Sequence, residues 1–326
     1  MSELRDDVYI ACVYDNDSPI GFLPYQGKRF ARPVGAPMTD YHGFISHPDN
    51  IEPLDVIKAA GIGAFHFSSS VNTSLQSFAQ SEDEGVLMNI KNGAGAWRKE
   101  RDSSYRRHLK SNRRRIRKAT EDFGEPRFEW LSTDQSVFDQ LIAWKKQKFA
   151  ETGKYDVLSA DWTMKLLKTL WSRQNTDLRC DMHALFFGDR LAAVDLGLSD
   201  GKTFHSWIVA YDGELHSYAP GIQLLEALVD ASKSIGYSQI DLGAGTDGYK
   251  RHYASEDIKV TGGFIAAQGS AAALSNLYSK AETFGQKALK DAPGKLRRRY
   301  SQIAACEDSV SGRAKAMLGA VAATRR

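Results

Sequence analysis

The chain has 326 residues, 42% hydrophobic and 25% charged, with 43 Lys and Arg against 40 Asp and Glu. That composition fits a soluble globular protein, and the length allows one large core or two ordinary domains. No apolar run approaches the ~18–20 residues of a membrane span. Cys12, Cys180 and Cys306 are odd in number and far apart. They suggest no disulfide framework, they form no C-x-x-C pair, and no metal site is expected.

The first half opens with two strand patterns, "VYIACVY" and "SPIGFLPYQ", around the turn "DNDS". "KRFARPVG" follows, then the turn-rich "APMTDYHGFIS". "EPLDVIKAAG" reads as a short helix, and "GAFHFSSS" and "GVLMNIK" read as strands. A strongly basic helix is expected from Trp97 to Ala119, connecting the two halves. The N-terminal "MSELRDDVYI" lacks the basic-then-apolar pattern of a signal, so a cytoplasmic location is expected.

The second half is more regular. "EPRFEWLS" reads as a strand. "TDQSVFDQLIAWKKQKFAETG" reads as a helix whose spacing is marked by Phe138, Leu141, Ile142, Lys145 and Phe149. A second helix, "SADWTMKLLKTLWSRQ", comes next. The period then changes to two: "MHALFFG", "RLAAVDLGLS" and "KTFHSWIVAY" read as strands joined by turns at Gly188-Asp189 and Asp200-Gly201. "IQLLEALVDASKSIG" is an amphipathic helix stopped by Gly236. "SQIDLG" and "IKVTGGFIAAQ" are further strands. From Ala271 the chain reads as a basic helical tail.

"DLGAGTDGYKRHY", Asp241 to Tyr253, spells both G-x-G-x-x-G and D-x-G-x-G. A dinucleotide fingerprint should open a long helix and meet an acidic residue about 20 positions later, after a second strand. The polar "YKRHYASED" that follows is no such helix. Methyltransferase topology would require several more strand–helix units. The context therefore argues against both nucleotide readings.

The two halves loosely repeat strands, then helix, then strand, although no convincing sequence repeat aligns. The element order of the second half resembles the GNAT acyltransferase superfamily. "RPVGAPMTDYHG", "YRRHLKSNRRRIRKATEDFG", "HALFFGDRLAAVDLGL", "YAPGIQLLEALVDASKSIGYSQIDLGAG" and "YKRHY" resemble its CelD-like branch, linked to cellulose and exopolysaccharide biosynthesis. That branch is similar to Fem-type peptidyltransferases, which use two GNAT-like domains. The likeness covers about Val8 to Ala267 and leaves the tail outside.

The resemblance implies an α/β (α+β) chain with tandem GNAT-like folds, mixed and mostly antiparallel sheets, and flanking helices. Residues 1–124 would be a degenerate N-terminal domain with the basic connecting helix. Residues 125–270 would be the acyltransferase domain, and 271–326 the basic tail.

The donor implied is acetyl-CoA or another acyl-CoA, with no metal. Its pantetheine arm would pair with the strand carrying Trp207, Ile208 and Val209. Its pyrophosphate would sit at Tyr218, Ala219, Gly221 and Ile222, where a helix begins. Free N–H groups and a partial positive charge suit that position for an anion, although an ordinary helix cap fits the same residues, and the loop has fewer glycines than many GNAT phosphate loops.

His205 is a candidate base, or a packed or surface histidine. Asp241 can orient a base, bind substrate or cap its loop. Lys250, in a string resembling the Fem-type aromatic-Lys-x-x-aromatic ending, can steady an oxyanion or a phosphate, or simply be solvated. Tyr249 and Tyr253 can donate a proton, stack on a sugar or pack in a core. Asp40 and Tyr41 would line an acceptor cleft if the halves faced each other; a turn aspartate with local bonds is the plainer reading.

The arginines from Tyr105 to Lys118, Arg106 and Arg113 among them, suit an acidic acceptor such as a nucleotide-linked sugar. A carbohydrate-type acceptor is the leading expectation. Aminoacyl transfer from charged tRNA is the alternative within the fold, and a non-catalytic nucleic-acid or membrane-binding module the alternative outside it. The basic helix and tail also suit peripheral contact with an anionic membrane at the inner face of the cell membrane.

Overall fold

The computed structural model describes the chain except residues 47–50, 174–176, 246–247, 268, 290–291, 308 and 324–326. In chain order the first half holds β1 (Val8–Asp15), β2 (Ser18–Gln26), β3 (Phe30–Pro33), β4 (Ile45–Ser46), α1 (Pro53–Ala59), β5 (Ala64–Ser70), β6 (Ala79–Asn89), α2 (Ala94–Lys99) and α3 (Ser103–Phe123). Next come β7 (Pro126–Glu129), α4 (Gln135–Thr152), α5 (Asp161–Ser172), β8 (Arg179–Phe187), β9 (Arg190–Ser199), β10 (Thr203–Tyr211), α6 (Pro220–Ile235), β11 (Gln239–Ala244) and β12 (Glu256–Ala266). The helices α7 (Ser270–Leu289), α8 (Ala292–Cys306) and α9 (Val310–Ala323) close the chain. None of the described helices is long and apolar enough to cross a membrane.

Two compact units form, and neither is one continuous stretch: Met1–Asp83 with Thr152–Leu166 and Lys259–Arg326, and Glu84–Glu151 with Leu167–Ile258. In the first unit β1 pairs antiparallel with β2, β2 pairs with β3 and β4, and β3 runs parallel to β5. The last strand of the chain closes this unit: β12 pairs antiparallel with β5, Ala266 opposite Ala64. Leu23, Ile57, Phe65 and Leu75 fill its core.

In the second unit the strands lie in the order β6-β11-β10-β9-β8-β7. All neighbours are antiparallel except β10 and β11, which are parallel. The hairpin at Gly188-Asp189 forms as its sequence predicts, with Phe187 opposite Arg190 and Gly188 at φ +58°. At the second hairpin Asp200 Oδ1 accepts from the Lys202 and Thr203 amides, which fixes the turn. Pro220 begins α6 and Gly236, at φ +103°, ends it. Leu224, Leu225, Leu228 and Val229 turn the buried face of α6 toward the sheet.

One expected element is corrected. The basic segment is two helices rather than one from Trp97 to Ala119. Asp102 causes the break: extended at φ −74° and ψ −179°, it accepts from the Tyr105 amide at 2.9 Å and so starts α3 as an N-cap. Tyr105, Asn112 and Ala119, seven residues apart, form the buried stripe of that helix.

Candidate active site

The site is built where β10 and β11 part. Their parallel ladder pairs Thr203 with Gln239, Phe204 with Ile240 and His205 with Asp241, and no later pair forms among the described residues. Yet β10 runs on to Tyr211 and β11 to Ala244. The strands thus diverge into a V, with His205 and Asp241 at its apex.

Cross-strand partners share a face, so this register brings the two side chains together. His205 Nδ1 lies 2.9 Å from Asp241 Oδ2, and the other carboxylate oxygen accepts from the Gly243 amide at 2.8 Å. An ionised carboxylate can only accept. Nδ1 therefore carries the proton, and the basic lone pair of a neutral His205 falls on Nε2. Both side chains are largely buried, at 17% and 10% exposure, which strengthens their interaction over that of a surface pair.

The opposite face of β10 holds a second acidic centre. Between Ser206 and Ile208 the pairing of β10 with β9 slips by one residue, leaving Trp207 as a bulge. Gly197 stands opposite Ser206 and Asp195 opposite Val209. The Ser206 hydroxyl donates to Asp195 Oδ2 at 2.8 Å. Asp195 Oδ1 is buried with no hydrogen-bond partner among the described residues. Burial pushes the Asp195 carboxyl up to about 7, against the opposing pull of the Ser206 hydroxyl, His205 and Lys145. Lys145 reaches in from α4 to the Val209 carbonyl, at 3.1 Å. Burial, and then the charge of Asp195, push the Tyr249 hydroxyl up to about 12.

The first turn of α6 lies over the far end of β10. A Cβ at Gly221 would come within 3.7 Å of Tyr211 Cδ1 and 3.9 Å of Val209 Cγ1. Ala219, the N-cap, is left-handed at φ 52° and its side chain caps nothing. A 16-residue helix thus points its N-terminus at the V.

Residues 103–251 match the family model described as acetyltransferase (GNAT) domain. This stretch of the chain is similar to GNAT-type domains. Comparison with solved structures gives likenesses to the C-terminal domain of a putative lysylphosphatidylglycerol synthetase from Agrobacterium fabrum and to FemX. The first is 12% identical over 83% of this chain and 87% of that one, with a TM-score of 0.52. FemX is 10% identical over 83% and 90%, with a TM-score of 0.53. At such identities these likenesses carry the fold alone. No curated protein matches this chain.

Within the matched stretch, Lys250 lies in a one-turn 3-10 helix and donates to the Leu242 carbonyl at 2.6 Å. This ties the turn to β11 beside the V. Gly243, Gly245 and Gly248 all have positive φ, and the helix that follows them spans only Lys250–His252. The glycines serve a loop. Tyr253 is fully buried: its hydroxyl donates to Glu226 Oε1 at 2.8 Å, while Tyr105 and Arg98 hold Oε2. The Tyr249 ring packs edge-on against that of Tyr253.

Tyr218 donates to Asp122 Oδ2 at 2.6 Å, under the Lys118 ammonium. Ile208 is buried, Trp207 and Val209 half-buried, and Ile222 follows Gly221 in the first turn of α6. Arg106 and Arg113 are exposed on α3. Asp40 and Tyr41 belong to the other unit, in the loop between β3 and β4.

Asp195, Ser206 and Lys145 escaped the sequence reading, yet two of them left a mark. Asp195 is one carboxylate within the apolar run "LAAVDLGL", and Lys145 falls on the apolar spacing of its helix. A charge on a core-facing position needs a partner or a task.

Proposed function

We propose that this chain is an acyltransferase that moves an acyl group from acyl-CoA to an amine or hydroxyl of a sugar or sugar precursor, in polysaccharide or envelope synthesis. The V between β10 and β11, with a hydrogen-bonded His–Asp pair at its apex and a helix N-terminus at its open end, carries this reading. From Ser206 to Tyr211 the strand spans about 16 Å, a length suited to the pantetheine arm. Gly221 lets an anion approach the α6 amides closely, and the helix favours negative charge there. The donor supplies an activated thioester.

The chain's own residues do the rest. His205 Nε2 accepts the proton of the attacking amine or hydroxyl. Asp241 holds the tautomer and steadies the imidazolium that results, because its second oxygen is anchored on the Gly243 amide. The bulge takes Trp207 out of the regular ladder with β9, next to the point where β10 and β11 part. Lys250, beside β11, is the cation nearest in role to an oxyanion or phosphate.

A second reading, aminoacyl transfer from charged tRNA, draws on α3. Arg106, Lys110, Arg113 and Arg117 form one exposed stripe of that helix, and Arg107, Arg114 and Lys118 another. None of them makes an ion pair among the described residues. A steep salt dependence of tRNA binding would favour this reading.

The test is a CoA-release assay with acetyl-CoA and a panel of amino sugars and nucleotide-linked sugars. Acceptor-dependent release that His205→Ala lowers at least about 100-fold supports the proposal. Release indifferent to every sugar, beside transfer from charged tRNA, would favour the second reading.

A further inference from the structure

Asp195 is not needed by the mechanism above, yet it is built into the same place. It is 5% exposed, on the central strand β9, in a stretch otherwise made of Leu, Ala, Val and Gly. Its Oδ1 has no hydrogen-bond partner among the described residues. An ionised carboxylate there would leave a negative oxygen unsolvated, whereas a neutral carboxyl leaves only a weak dipole. Its other oxygen faces Ser206, the first β10 residue past the last pair with β11. Ser206 is half-buried, while Asp195 lies behind it. A hydroxyl can turn: with Asp195 neutral, the carboxyl O–H donates to Ser206 Oγ, and the Ser206 O–H is released toward the V.

We propose that Asp195 stores a proton which Ser206 delivers to the sulfur leaving the donor. The proposal rests on the acyl-thioester reading above. As the C–S bond breaks, its electron pair stays on sulfur. Ser206 gives its hydroxyl proton to that sulfur and takes the proton of Asp195. His205 meanwhile holds the proton lost by the acceptor. His205 then loses its proton to solvent and Asp195 regains one from solvent, so that acceptor–H and thioester become acylated acceptor and free thiol.

The groups around Asp195 are Ser206, its cross-strand partner His183 on β8, Lys145 from α4 and Tyr249, while His205 acts on its charge from the other face of β10. Two carboxylates thus flank one strand in different environments: Asp241 is bonded to an amide and an imidazole, and Asp195 lies in an apolar layer. Such a contrast divides acid from base in one site. Ser206 would touch the leaving group; Asp195 acts through it.

The test follows acetyl-CoA turnover against pH for wild type, Asp195→Asn and Ser206→Ala, with infrared detection of the protonated carboxyl in the whole protein. The relay predicts that wild-type kcat falls as pH rises through neutrality. Asp195→Asn should lower kcat about 100-fold or more and abolish that fall, with a carboxylic band that titrates near neutrality in wild type and is missing from the variant. A purely structural role would lower the rate and leave the pH profile in place. An active wild type with Asp195→Asn within about threefold of it, or Asp195 ionised from pH 5 to 9, overturns the relay alone. A wild type inactive with acetyl-CoA and every acceptor would instead sink the reaction it serves.

Discussion

His205 Nδ1 meets Asp241 Oδ2 at 2.9 Å on the last rung of the parallel ladder between β10 and β11. The contact depends on register: a slip of one residue would turn one of the two side chains to the other face. Asp241→Asn keeps only one acceptor oxygen, which the Gly243 amide engages, and so turns an NH2 donor toward His205 Nδ1 and favours the wrong imidazole tautomer. Acyl transfer should fall at least about 100-fold, with the unfolding midpoint little changed. Steady-state CoA release and a denaturant melt on the same preparation check both halves.

The buried Glu226 carboxylate accepts from Tyr105, Tyr253 and Arg98, and Arg98 also pairs with Asp230. Tyr253→Phe should therefore cost stability, about 1.5–3 kcal/mol for a lost bond to a charged group. If the phenol serves this network and not the substrate, turnover stays within a few-fold of wild type. A large loss of kcat at intact stability would place Tyr253 on the substrate instead.

Leu228 lies on the buried face of α6 and is fully covered. Leu228→Ala removes buried methyl groups and leaves a cavity, for about 2–5 kcal/mol of destabilisation. Urea unfolding measures this. A loss below about 1 kcal/mol would mean that the helix is not the packed element described.

Asp195 also makes stability depend on pH. Its folded-state carboxyl titrates near 7 and the unfolded one near 3.8, so the folded protein binds the extra proton between those values. The stability this group contributes is full below the lower value and is lost as pH rises through the upper one. Asp195→Asn should therefore be more stable than wild type at pH 8, with the difference shrinking toward pH 4. Comparing the two proteins cancels the contribution of buried histidines such as His183, which burial pulls down to about 4.

Local signals carried much of the fold. The alternation in "RLAAVDLGLS", the Gly188-Asp189 turn and the Pro220-to-Gly236 frame of α6 each act within a few residues, and each formed where expected. The pairing of β12 with β5 was not legible: it joins Ala64 to Ala266, and no local pattern encodes so distant a partner. The break before α3 was legible in principle, since Asp102-Ser103-Ser104 is a capping sequence, but the dense charge around it suggested one continuous helix. The candidate site divides in the same way. His205 and Asp241 could be named individually, but their contact needs a register set across 36 residues. Asp195 announced itself only as a charge in an apolar run, and its bond to Ser206 needs the register that sets Ser206 opposite Gly197.

The central claim is that the V and the start of α6 hold acyl-CoA. Titration calorimetry of the purified protein with acetyl-CoA, beside Gly221→Glu, tests it most directly. The added Cβ meets only ordinary contacts, at 3.7 and 3.9 Å, so the variant should fold, while its carboxylate puts negative charge where the pyrophosphate would lie. The account predicts saturable binding by wild type and its loss in the variant. Equal binding by both, or none by the folded wild type, would contradict it.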